Sequence, residues 1–244
     1  SQEHGRGMRW VQKQLDAAPI SDSLSNPQPI VAVSDVTFFT RGYGILVVRC
    51  PALKRNLYWK EVTAETPEEY RRARMELEQR GYVIQGAVVD GKRGVTRVFS
   101  DIPVQLCQFH QIANMRRYLT SRPILEAGKE LRAITLSLTT LTEKSCAALL
   151  DIWYQKWEHF LKERTYIPGT KRWSYTHRRI RSAHRSLRTN LPYLFTYKKY
   201  PHLKLPNTTN SLDGFFNRIK GLLNVHRGLT PQRRYKIIQE ILGK

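Results

Sequence analysis

Three carboxylates in this chain occupy positions from which a two-metal phosphoryl-transfer site is built. Asp35 closes the apolar run Ile30-Val31-Ala32-Val33-Ser34, and Asp90 closes the run from Tyr82 to Val89. Asp213 stands in the first turn of a predicted helix over 211–220. Two divalent ions about 3.5–4 Å apart activate a water or a 3′-hydroxyl and neutralise the leaving oxygen of a phosphodiester. Hard Mg²⁺ or Mn²⁺ prefers carboxylate oxygens. The expectation is two such ions held by Asp35, Asp90 and Asp213, two at strand ends and one on a helix. Each acid has a plainer reading. Asp90-Gly91 is a turn sequence, Asp35 is a loop acid just past a buried strand, and Asp213 follows Asn210 as the acid of an N-capping pair. Asn217 and Lys220 share the helical face of Asp213, and an ordinary polar face is the preferred account of those two.

A second motif, Cys107-Gln108-Phe109-His110, has the spacing of half a zinc site. Cys50 and Cys146 offer no partner at close spacing. A local structural role for Cys107 and His110, near the acids or the nucleic acid, is preferred over zinc.

The elements that must position these groups can be read from periodicity. Ile30–Ser34 is continuously apolar, as in a strand covered on both faces. Gly44–Arg49 and Leu57–Glu61 follow as short-connected, antiparallel strands. Thr66, Pro67 and Glu69 open a helix over 67–80 with a capping box, Tyr70, Ala73 and Leu77 share its inner face, and Gly81 ends it. Tyr82–Val89 then returns as a strand parallel to its neighbour. Val98–Leu106 is a fifth strand, and a helix starts near His110. From about 124 to 200 the pattern is helical with no convincing strand. Leu212, Phe215, Phe216, Ile219, Leu222 and Leu223 follow helical spacing up to Gly228. Thr230 and Pro231 open a last helix toward Leu242. Met8–Leu15 finishes a helix, and Ser21–Pro29 is a Ser/Pro/Asn linker. The expected organisation is 1–29 as a linker after a missing N-terminal region, 30–123 as the first part of the core, 124–205 as a basic helical insertion and 206–244 as closing helices.

Charge points to the partner. Lys and Arg total 41 against 20 Asp and Glu, a net charge of +21. A compact fold with that excess repels itself and calls for an anionic partner, nucleic acid first. Between residues 156 and 204 there are 13 Lys/Arg, 2 Glu and 9 aromatics. Cations interleaved with rings suit phosphate contact and base stacking; the plainer reading is a helical bundle with aromatics in its core and a solvated basic face. The candidate contacts are Lys171, Arg172, Arg178, Arg179, Arg181 and Arg185, with Lys220 and Arg227 further on. No run approaches the roughly 20 apolar residues of a membrane span, and the N-terminus lacks the apolar stretch of a secretory signal. Three widely spaced cysteines suit reduced thiols in a cytoplasm.

Taken in order, four segments resemble a known family. They are Val88-Val89-Asp90-Gly91-Lys92-Arg93-Gly94, Cys107-Gln108-Phe109-His110, Asn207–Phe216 and His226-Arg227-Gly228-Leu229. Together they look like the catalytic core of DDE transposases, in particular bacterial insertion-sequence transposases related to the Mutator elements. Asp90 lies 55 residues after Asp35, Cys107 17 after Asp90, and Asp213 123 after Asp90. The resemblance covers roughly 28–242. It implies an α/β, RNase H-like mixed sheet flanked by helices, with a mainly α-helical insertion before the third acid. It implies metal-dependent hydrolysis and strand transfer at transposon ends, with Asp35, Asp90 and Asp213 as the three acids. It also implies double-stranded DNA as partner, a homodimer or higher oligomer on that DNA, and a cytoplasmic, nucleoid-associated location in a bacterium. The chain departs from the family's usual third acid, Glu, by one methylene. The rivals are a degenerate, binding-only relative and another RNase H-like nuclease, against which the 123-residue gap speaks.

Overall fold

The computed structural model describes residues 7–17, 26–225 and 228–243. It is an α/β protein whose five-stranded mixed sheet has the order β3-β2-β1-β4-β5. The strands are β1 (Pro29–Thr40), β2 (Tyr43–Cys50), β3 (Arg55–Val62), β4 (Val83–Val89) and β5 (Val104–Leu106). The antiparallel β1-β2-β3 meander and the parallel β4/β5 pair agree with the RNase H-like arrangement expected from the sequence. The chain divides into two compact units, residues 1–83 with 210–244, and residues 84–209.

In the first unit β2 is the middle of the meander, and Ile45, Leu46 and Val47 are all buried, so both of its faces are covered. Helix α2 (Pro67–Gln79) packs on β2 and β3. Thr66 Oγ1 accepts the Glu69 N–H at 3.4 Å, Pro67 takes the first helical position, and Tyr70, Ala73 and Leu77 are buried. Gly81 then reverses the chain at φ 88°, where a Cβ would also stand 3.0 Å from Pro27. Helix α1 (Met8–Ala17) carries Asp16, which accepts two bonds from Arg233 at 3.0 and 2.8 Å. Arg233 belongs to the last helix, Pro231–Leu242, which Thr230 caps as expected by accepting the Arg233 N–H. The preceding helix, Asn210–Val225, buries Leu212, Phe216 and Ile219 and packs against β1.

The second unit joins β4 and β5 to a helical assembly. Its helices are α3 (Val95–Val98), α4 (Gln108–Leu119), α5 (Glu126–Leu136), α6 (Glu143–Lys162), α7 (Arg178–Leu194) and α8 (Thr196–Lys199), followed by a 3-10 turn at Pro201–Leu203. The two closing helices of the first unit are accordingly α9 and α10. Helix α7 is the hub, packing on α4, α5, α6 and β5. Its Ile180, Ala183, Leu187, Leu191 and Leu194 recur at helical spacing and are buried. Its C-terminus is fastened by side chains of β5 and α4, and α8 beyond it is tied to β5. Gln105 and Gln108 each donate to the Leu194 carbonyl at 2.9 Å, and Thr196 Oγ1 donates to the Val104 carbonyl at 2.6 Å.

Three expectations are corrected. First, β1 does not stop at Ser34: it runs on through Thr37-Phe38-Phe39-Thr40, because these residues keep pairing with β2 as far as Thr40 opposite Tyr43. Second, the strand expected over 98–106 is only Val104–Leu106. Gly94, at φ 88°, turns the chain into α3 first, a conformation open mainly to glycine. Third, the region expected to lack strands contains a hairpin, β6 (Arg164–Tyr166) and β7 (Trp173–Tyr175), turning at Pro168-Gly169-Thr170. The helix expected to end at Gly228 is assigned as far as Val225, and His226 and Arg227 lie outside the described residues. Ser21 to Ser25 of the expected linker also lie outside the described residues.

Candidate functional site

In the first unit Asp35 sits mid-strand, opposite Val47, and is only 6% exposed. Its Oδ1 accepts the Val36 N–H at 2.8 Å. A carboxylate this deep is costly to desolvate without hydrogen bonds or a cation nearby. Asp213 is half-buried in the first turn of α9, where a negative charge also favours the helix dipole. Because α9 packs on β1, the strand carrying Asp35 and the helix carrying Asp213 are neighbours. Asn217 and Lys220 are exposed further along α9.

In the second unit Asp90 follows the last residue of β4, and its Oδ1 accepts the Lys92 N–H at 2.9 Å, closing a local turn. Gly91 is held between α4 and α7, where a Cβ would lie 3.8 Å from Asn114 and 3.9 Å from Asn190. Cys107 and His110 are engaged with the segment just before α9. The Thr209 N–H donates to Cys107 Sγ at 3.3 Å, and Thr209 Oγ1 lies 3.5 Å from both Cys107 Sγ and His110 Nδ1. Gln108 N–H donates to the Asn207 carbonyl, and Asn207 Nδ2 returns a bond to Gln108 Oε1. The Cys-x-x-His motif thus anchors the chain four residues ahead of Asp213. Burial pushes the Cys107 thiol up, but hydrogen bonds from His110 and Thr209 outweigh it and leave the thiol below its ordinary range.

The oxygen-only donor set of Asp35, Asp90 and Asp213 is right in kind for Mg²⁺ or Mn²⁺. Among the described residues, however, no group of three or more His, Cys, Asp or Glu side chains is placed to hold an ion.

The second unit also contains a cleft of about 1100 Å³ that begins at Gly91, the residue after Asp90. One wall is the loop with Lys92 and Arg93, continued by Arg97 of α3. The other is a stripe of α7, Ser182, Arg185, Ser186, Thr189, Asn190 and Tyr193, lying between the helix's buried positions. The lining includes no Asp or Glu. Among the described residues Arg93, Arg97 and Arg185 have no carboxylate partner. Converging guanidinium groups without a counter-ion favour an anionic ligand.

The residues expected to contact nucleic acid are spread over several elements. Lys171 and Arg172 are exposed beside the turn of the β6/β7 hairpin, whose Tyr166, Ile167 and Trp173 are also exposed. Arg178 and Arg179 open α7; Arg179 donates to the Arg117 carbonyl. Arg181 is turned inward, stacked 3.6 Å over Tyr175 and donating to the Leu161 carbonyl at 2.6 Å. Arg185 reaches the cleft, Lys220 is exposed on α9, and Arg227, with His226, lies outside the described residues. Sequence reasoning passed over Lys92, Arg93 and Arg97 as contacts. The only signal was the place of Lys92 and Arg93 in the Asp90-Gly91-Lys92-Arg93-Gly94 motif; Arg97 lies beyond it.

No protein-family model matches the chain, and no curated protein matches it. Among solved structures it is similar to a Drosophila P element transposase strand transfer complex. The identity is 12%, with 98% of this chain and 85% of that chain covered and a TM-score of 0.43. At that level the similarity says nothing about which residues act. Among the described residues no helix is long and apolar enough to cross a membrane.

Proposed function

We propose that the chain is the catalytic domain of a DNA transposase of the Mutator-related bacterial insertion-sequence type. It would cut at transposon ends and join the freed 3′-hydroxyl to a target duplex. The observation that carries this reading is the position of Asp90. It stands at the carboxyl end of a parallel strand, the usual location of ligand sites in such sheets, one residue before a cleft rich in cations and lacking carboxylates. The order of the Asp35, Asp90, Cys107/His110 and Asp213 motifs supports it. So does α7, whose first turn carries Arg178 and Arg179 and no acid. Cations there oppose the helix dipole, at about 0.3–1 kcal/mol each, which a phosphate backbone would offset.

In this reading Asp35, Asp90 and Asp213 would be the metal-binding acids, and two Mg²⁺ or Mn²⁺ ions would supply the activation of water. The DNA would bind as a duplex, with two copies of the chain or more joining two ends. A cytoplasmic, nucleoid-associated location in a bacterium belongs to the same proposal. The test is nicking of supercoiled plasmid in Mn²⁺ by the parent, Asp35→Asn and Asp90→Asn. Nicking by the parent alone supports the assignment; equal nicking by all three refutes it.

A second reading is a binding-only relative. The local turn that Asp90 closes onto Lys92 favours it, since that bond gives the carboxylate a role without metal. DNA binding with no nicking in any protein would select it.

A further inference from the structure

The cleft has features that a duplex backbone does not account for. Tyr118 of α4 and Tyr193 of α7 both line it and are 37% and 40% exposed. The two rings stand in the same concavity as Lys92, Arg93, Arg97 and Arg185. Bases in a duplex are stacked on one another and present only their edges in the grooves, so such rings find no base face there. An unpaired strand offers both components at once. Its phosphates meet the cations and its bases stack on the rings. Size bears on the choice too. At about 1100 Å³ the cleft is at or beyond the roughly 300–1,000 Å³ of small-molecule pockets, which favours several linked nucleotides over one.

We propose that this cleft holds an unpaired stretch of DNA next to Asp90, with its phosphates on Arg93, Arg97 and Arg185 and a base on Tyr193 or Tyr118. The proposal rests on the reading of the chain as acting on DNA. It adds that one strand is separated from its complement at the cleft. Of the polar groups that α7 turns to the same space, Ser186 and Asn190 are already bonded to Gln111, so binding there should be tolerant of sequence.

The test uses the full chain and a fluorescein-labelled 15-nucleotide oligothymidine, with anisotropy read over a series of salt concentrations. A blunt duplex of the same length and a duplex with a single-stranded tail are measured beside it. Tyr118→Leu and Tyr193→Leu are expected to weaken oligothymidine binding about 5- to 150-fold, the range for losing one base–aromatic stack, while blunt-duplex affinity changes little. Tyr193→Phe should retain binding. Arg97→Ala and Arg185→Ala should each lower the salt slope by about 0.7 on the single strand. Thermal unfolding of each variant identifies those that fail to fold, and the Tyr193→Phe and arginine arms decide where a leucine variant is lost. Unchanged oligothymidine affinity in both leucine variants overturns the proposal. So does full displacement by a nucleoside triphosphate at equal nucleotide concentration, which marks a mononucleotide site, or a clear preference for oligouridine RNA. Plasmid nicking reports separately. Nicking that depends on Asp90 with no response in the oligothymidine assay removes the single-strand proposal and leaves the proposed function. A response without nicking does the reverse.

Discussion

The sulfur of Cys107 accepts a hydrogen bond from the backbone of Thr209, 102 residues later, at 3.3 Å. This contact, with the paired Gln108 and Asn207, holds the segment that leads into α9 against the start of α4. A motif with half a zinc site's spacing therefore has a full hydrogen-bonding role without zinc. Replacing Cys107 by Ala removes the sulfur that accepts the buried Thr209 N–H. We expect a loss of about 1–3 kcal/mol in urea unfolding. Cys107→Ser should lose less, and a zinc-selective chelator should leave the melting temperature unchanged.

The same thiol predicts a pH dependence. Its folded pKa is lowered below the ordinary 9, so its stabilising contribution is fully present above 9 and is lost as pH falls through the folded value. The stability difference between the parent and Cys107→Ser should grow as pH rises toward 9. A difference that stays flat as pH approaches 9 would show that the thiolate is not favoured in the fold.

His184 predicts the opposite limb. Its ring stacks on Trp153 and Tyr154, with centroids 5.1 and 5.3 Å apart, and its Nε2 is buried with no hydrogen-bond partner. Burial lowers its pKa, and Arg188 and Arg181 lower it further, against the pull of Asp151. The fold therefore holds it neutral, and its contribution is lost as pH falls below 6.5. Parent stability should drop from pH 6.5 downward, and His184→Phe, which keeps the stack and cannot titrate, should lack that part of the drop. Identical pH profiles would refute this.

Much of the framework was legible because it depends on local rules. The Thr66-Pro67-Glu69 start of α2 and the Thr230-Pro231 start of α10 are written in a few adjacent residues. The strand limits were less so. Asp35 read as a strand end because it is charged, yet pairing with Val47 and the residues beyond carries β1 through it. The β6/β7 hairpin has no alternating apolar face to mark it in the sequence; Arg164 stacks 3.9 Å over the Trp173 ring instead. The cleft could not be read at all. Its walls come from 91–97, 118 and 182–193, segments far apart in the chain that meet only through packing of α4 against α7.

Arg181 shows why a charge count does not give a contact list. Its guanidinium is stacked on Tyr175 and bonded to the Leu161 carbonyl. Arg181→Lys should cost stability, about 0.5–2 kcal/mol for the stack, with little change in the salt slope of DNA binding. Lys171→Ala and Arg172→Ala, both exposed at the hairpin, should leave stability within about 0.5 kcal/mol. Each should also reduce the salt slope on duplex by about 1. Reversal of that pattern would place Arg181 on the DNA.

Gln105 tests how the second unit is held together. It is fully buried, donates to the Leu106 and Leu194 carbonyls at 2.6 and 2.9 Å, and accepts the Tyr197 N–H at 2.9 Å. One amide thus satisfies backbone groups on β5, at the end of α7 and in α8. Gln105→Leu keeps the volume but strips all three bonds. The Leu194 carbonyl still has Gln108, so the unsatisfied groups are chiefly the Tyr197 N–H and one acceptor. At about 1–3 kcal/mol per buried group, a loss of about 2–4 kcal/mol is expected. Because α7 forms one wall of the cleft, the same variant should weaken oligothymidine binding even though Gln105 does not line it. Unfolding by urea and anisotropy, measured together, check both halves. A stable Gln105→Leu protein with weakened binding would mean that the α7–β5 bonds set the cleft's shape more than the fold's stability.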